Sequence, residues 1–121
     1  MHPIYLDHHA TTPVDAAVAE AMRPWFTEHF GNPESPHAFG WEARDAVEAA
    51  RERVAALVGS EASQVVFTGS ATESVDLALT GLAERHGSGH FVTTAIEHPA
   101  VLRTLERLAE RGFDLSVVPV G

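Results

Sequence analysis

No cysteine occurs in the 121 residues, so the chain has no thiol nucleophile, no thiolate metal site and no disulfide staple. Lysine is missing as well. All eight basic residues are arginines, at Arg23, Arg44, Arg51, Arg53, Arg85, Arg103, Arg107 and Arg111; no Schiff base can form on a lysine of this chain. Positive charge is scarce against a formal net charge of −9. Without a basic stripe to meet a phosphate backbone, nucleic acid is excluded as the main partner. The chain also lacks an apolar run long enough to span a bilayer, and its start lacks the basic-then-apolar pattern of a signal peptide. These absences give the expectation of a cytoplasmic protein with no membrane partner.

What is present is the composition of an ordinary globular protein, 45% hydrophobic and 21% charged, at a length that suits one domain. Residues 1–14 read as an extended arm and a turn. From Asp15, a helix N-cap, the apolar residues Val18, Ala21, Met22, Trp25 and Phe26 follow helical spacing, predicting a helix that ends near Phe30 and Gly31. The Gly, Asn and Pro content of Gly31–His37 marks a loop. A long helix follows, with Ala43, Ala46, Val47, Ala50, Val54, Leu57 and Val58 on one face and Gly59 as its stop. The period then alternates. Val65–Phe67, Phe91–Thr94 and Leu115–Val118 read as strands, and Ala71–Glu84 and Pro99–Arg111 as helices between them, which predicts an α/β fold with a mainly parallel βαβαβ sheet. The last strand has no closing helix after it, which gives the expectation of an incomplete fold.

In a parallel sheet, ligands bind beyond the carboxyl ends of the strands, and two loops fall there, Thr68–Glu73 and Ala95–His98. Gly69 permits a tight turn, Ser70 and Thr72 offer hydroxyls, and the free N–H groups of a helix start favour an anion. The same residues also fit a capping box, Ser70 with Glu73, which needs no ligand. On the residues alone, helix cap and phosphate site stand level. His98 precedes Pro99 at a first helical position; it suits either a local cap or an imidazole against a cofactor ring. Glu97 reads as an exposed carboxylate. His8, His9, His29 and His37 come without an H-E-x-x-H motif or a helical pair, so they read as loop and surface histidines and no metal is expected.

Four groups of residues share one pattern. Tyr5-Leu6-Asp7 with Ala10-Thr11-Thr12-Pro13, Gly31-Asn32-Pro33 with Ser35, His37 and Gly40, Phe67-Thr68 with Ala71-Thr72-Glu73-Ser74, and Glu97-His98 with Ala100-Val101 together resemble the NifS/IscS-like cysteine desulfurases of the class V aminotransferase group. The resemblance covers nearly the whole chain. It implies a fold-type-I pyridoxal-phosphate enzyme, usually a homodimer, that takes sulfur from L-cysteine as an enzyme persulfide and releases alanine. The sulfur would pass to an acceptor protein for iron–sulfur cluster or thio-cofactor assembly.

By that resemblance Ala71 and Thr72 bind the cofactor phosphate, and His98 stacks on the pyridine ring and assists proton transfer. Ala10, Thr11, Asn32 and His37 lie on the substrate side. Residues 15–121 would form the first part of the cofactor-binding large domain. Two departures stand out. Family members commonly show Ser-Gly where this chain shows Gly69-Ser70. The family's cofactor lysine, its aspartate facing the pyridine nitrogen and its sulfur-accepting cysteine lie downstream of the matched region. The expectation is therefore an N-terminal segment, truncated or one piece of a split enzyme, that is inactive alone and needs a complementing C-terminal chain or self-association. The alternative expectation is a non-catalytic α/β module that keeps the phosphate-binding turn and acts through a partner.

Overall fold

The structure, a computed structural model, describes residues 3–121. The chain divides into two compact units between Val66 and Phe67.

The first unit is helical. Asp15 caps α1 (Ala16–Met22), its carboxylate accepting from Ala17 N–H at 2.8 Å. The expected single helix to Phe30 does not form. Pro24 has no N–H to continue the ladder, so α1 stops at Met22 and a one-turn α2 (Pro24–Thr27) restarts with the proline in its first position. The long helix α3 (Ala38–Val58) forms as the apolar spacing predicts. His37 caps its start, with Nδ1 accepting from Gly40 N–H at 3.4 Å. Gly59 ends it with φ of 69°, a left-handed turn that glycine adopts without steric cost. Gly40 is buried where α3 meets the preceding loop. A Cβ there would collide with the Ser35 carbonyl oxygen and lie 2.7 Å from that of Asn32.

Val65–Phe67 does not join a sheet, which corrects the expectation of three strands. Val65 is extended, but its N–H closes the 3₁₀ turn Ala62–Gln64 by bonding to Ala62 O, and its carbonyl accepts from the Arg51 guanidinium. The Val65 N–H and one lone pair of its carbonyl are thus engaged outside any ladder.

The second unit has the order α4 (Ala71–His86), β1 (His90–Thr94), α5 (Pro99–Glu110), β2 (Asp114–Val118). The strands pair in parallel, from His90 opposite Asp114 to Thr94 opposite Val118, with α5 as the crossover that parallel pairing requires. One sheet face is covered. Phe91 and Leu115 pack there against Ala83, Leu105 and Leu108, with Leu79, Val101 and Phe113 around them. The other face is open, leaving Val92 66% and Val118 46% exposed. Among the described residues no helix is long and apolar enough to cross a membrane.

Candidate functional site: the paired helix starts of the second unit

The turn Thr68–Glu73 is cross-tied by its own side chains. Ser70 Oγ accepts from Glu73 N–H at 3.2 Å, as a helix cap does. The Glu73 carboxylate reaches back past the cap residue to Gly69 N–H at 2.7 Å. Thr68 Oγ1 donates to Ser70 O at 3.1 Å and also meets the Ser74 hydroxyl. A helix start has four orphan N–H groups. Of these, Glu73 N–H goes to Ser70 Oγ, while Ser74 N–H already makes the first regular helix bond, to Ser70 O. Ala71 N–H, Thr72 N–H and the Thr72 hydroxyl have no acceptor among the described residues. The cap takes the inner amide, that of Glu73, and leaves the two outermost amides and a hydroxyl at the positive end of a 16-residue helix.

His98 is the N-cap of α5. Its Nδ1 accepts from Ala100 N–H at 3.1 Å, and its carbonyl accepts from Val101 N–H at 2.9 Å. The cap role fixes the neutral ring as the tautomer with its proton on Nε2, leaving that N–H as a donor. Glu97, exposed as expected, accepts from the Thr94 hydroxyl at 3.0 Å.

The two helix starts lie at the same end of the unit. Asp76 in α4 and Thr104 in α5 are each the sixth residue of their helices, and they are hydrogen-bonded at 3.0 Å. Residues of both first turns line one cleft, so α4 and α5 start side by side. A cleft of about 500 Å³ opens between those turns, lined by Ser70, Thr72, Glu73, Ala100 and Arg103, with Asp76, Thr104 and Arg107 behind them. The second unit thus brings Thr72 and the turn after His98 to one cleft.

Ala10, Thr11, Asn32 and His37 all belong to the first unit. Ala10 and Thr11 form a turn whose N–H groups bond to Asp7 O at 3.1 and 3.4 Å. Asn32 Oδ1 accepts from Glu34 N–H at 2.9 Å, and His37 caps α3. Asn32 and His37 share one loop; no hydrogen bond joins it to the Ala10–Thr11 turn among the described residues. No cluster of potential metal ligands exists among the described residues.

Four residues of the cleft carry no motif: Asp76, Arg103, Thr104 and Arg107. Thr104 did leave a trace, because it interrupts the apolar stripe Val101, Leu105, Leu108 of α5. A hydroxyl at 4% exposure on such a stripe needs a partner, and Asp76 supplies it.

A parallel βαβ unit preceded by a helix places the chain in the α/β class. Comparison narrows that class. The family described as aminotransferase class-V matches residues 4–121, and the chain belongs to that family. It is 53% identical over 121 residues to the cysteine desulfurase IscS of Anaeromyxobacter sp. (strain Fw109-5), an alignment covering 98% of this chain and 30% of that protein. Among solved structures, a NifS-like protein superimposes with a TM-score of 0.84 at 43% identity, over 92% of this chain and 31% of its own. SspA in complex with cysteine superimposes with a TM-score of 0.86 at 40% identity, over 94% and 33%. The chain thus spans about 30% of the length of the curated relatives it matches.

Proposed function

We propose that this chain is the phosphate- and ring-binding part of a pyridoxal-phosphate-dependent cysteine desulfurase, with residues 15–121 belonging to the large domain that follows an arm over 1–14. The observation that carries the reading is the pair of uncommitted amides at Ala71 and Thr72, next to the Thr72 hydroxyl, at a helix start beside that of α5. These donors suit a phosphate dianion: two backbone N–H groups, a short hydroxyl and the positive end of a helix stand together in one turn. Glu73 lies in the same turn, but its carboxylate is engaged by Gly69 N–H. The Gly69-Ser70 order also leaves the cup available, since Ser70 acts as cap and the free donors begin at Ala71.

When bound, the cofactor supplies an electron sink for bond cleavage next to the substrate nitrogen. This chain's residues would hold and orient it. Ala71 and Thr72 would donate to the phosphate. His98, its ring tethered through Nδ1, would lie against the pyridine and present its Nε2–H as a proton donor. On the resemblance, Ala10, Thr11, Asn32 and His37 are proposed as substrate-side residues for L-cysteine. The covalent lysine, the acid partner of the ring nitrogen and the sulfur-carrying cysteine would come from the rest of the family fold, on the same polypeptide or a complementing chain. Homo-oligomerisation, a sulfur-acceptor protein and a cytoplasmic setting belong to this proposal.

A titration tests it. The ¹⁵N-labelled chain is titrated with pyridoxamine 5′-phosphate, which has the ring and phosphate but no aldehyde to condense with the terminal amine. Saturable shifts at the Ala71 and Thr72 amides are expected, weakened by Thr72→Ala. No movement at those amides overturns the cofactor reading. Incubated with pyridoxal phosphate and L-cysteine, the 121-residue chain is expected to release no sulfide; release would overturn the assignment of the missing groups to other sequence.

A further inference from the structure

We infer that Asp76, Thr104 and Arg107 form a register lock that holds the start of α4 beside the start of α5, making them positioning residues for the Ala71–Thr72 cup and His98. This inference rests on the cofactor reading above.

Packing alone does not fix how far one helix slides along its neighbour. The core between α4 and α5 is small and aliphatic, built on Ala83, Leu105 and Leu108. Such a contact tolerates an axial shift better than a directional bond does. The directional contacts all converge on Asp76. Its Oδ1 accepts from the Thr104 hydroxyl at 3.0 Å and from the Arg107 guanidinium, while Arg107 Nη2 also lies 3.4 Å from Thr104 Oγ1. These are the only side-chain bonds between α4 and α5 among the described residues.

As a source of stability the ion pair is modest. Arg107 and Asp76 side chains are 60% and 41% exposed, where screening leaves a pair little net worth. Its geometric content is larger, because Thr104 is buried and has no water to turn to if α5 slides. A shift by one residue would carry Thr104 off Asp76 and leave a buried hydroxyl unsatisfied. The lock lies about 7.5 Å below both helix starts, five residues at 1.5 Å each. It is close enough to set their relative height from the back of the same cleft.

The test repeats the pyridoxamine 5′-phosphate titration on variants, with circular dichroism to verify that each is folded under the conditions used. Thr104→Val keeps the volume and removes the hydroxyl. It is expected to weaken the response at Ala71 and Thr72 about tenfold, as misplacement of a preorganised site does. Thr104→Ser should restore it, which loss of packing volume alone would not. Should Thr104→Val fail to fold, Asp76→Ala removes the shared acceptor from the half-exposed side and carries the same expected loss. A folded Thr104→Val or Asp76→Ala chain with wild-type affinity overturns the lock and leaves the cofactor reading standing. A wild-type chain with no response at Ala71 and Thr72 overturns both.

Discussion

Replacing Gly40 by alanine adds one methyl group at the place where α3 meets the preceding loop. The new Cβ would collide with Ser35 O and lie 2.7 Å from Asn32 O and 2.9 Å from Ser35 C. All three are backbone atoms, so no side chain can swing aside. Two effects oppose each other. Alanine favours the helix over glycine by up to about 1 kcal/mol. Overpacking a tight site costs about 1–3 kcal/mol, and a clash with rigid backbone falls at the upper end. The net expectation is destabilisation by about 2 kcal/mol. At a urea dependence of about 1.5 kcal/mol per molar, the midpoint should drop by more than about 1 M. Fluorescence is well placed to read this, because both tryptophans, Trp25 and Trp41, lie in the first unit and Trp41 adjoins the substitution. An unchanged or raised midpoint would refute the argument, since it would mean that the loop yields freely and the close approach of Gly40 carries no constraint.

Gly81→Ala should act in the opposite sense: the site is inside α4 with open space around a Cβ, so the substitution should stabilise the second unit by about 0.5–1 kcal/mol, read by far-UV circular dichroism in urea. Ser70→Ala removes the α4 cap and should cost about 1 kcal/mol in the same measurement. Thr72→Ala, whose hydroxyl has no partner among the described residues, should stay within about 0.5 kcal/mol of the parent. A large stability loss at Thr72 would show that its hydroxyl serves the fold. Pro24→Ala restores the missing N–H, and a gain in helical ellipticity as α1 runs on into α2 is the expected result.

Capping chemistry made most of the helices legible. Asp15, Gly59, Ser70 and Pro99 each mark a boundary within a residue or two of where the structure has it, because each acts on its own local backbone. The expected helix across Pro24 fails for an equally local reason, the weight given to apolar spacing over a missing donor. Val65–Phe67 is a different case. Its composition suits a strand, but the guanidinium that takes the Val65 carbonyl stands 14 residues earlier, and no pattern inside the run announces it. The turn at Thr68–Glu73 was legible as two rival readings; the structure shows the cap, with Ser70 accepting from Glu73 N–H, and leaves the Ala71 and Thr72 amides outside it. The tie between Asp76 and Thr104 joins positions 28 apart, and only the polar residue in the α5 stripe hinted at it.

The open face of the two-stranded sheet has a calorimetric consequence. Val92 and Val118 are wet in the native state, so unfolding exposes less new apolar surface there than in a sheet covered on both sides. Heat capacity of unfolding follows newly exposed apolar area. The second unit should therefore melt with a small heat-capacity step and a shallow stability curve, and covering that face should raise both the step and the curvature.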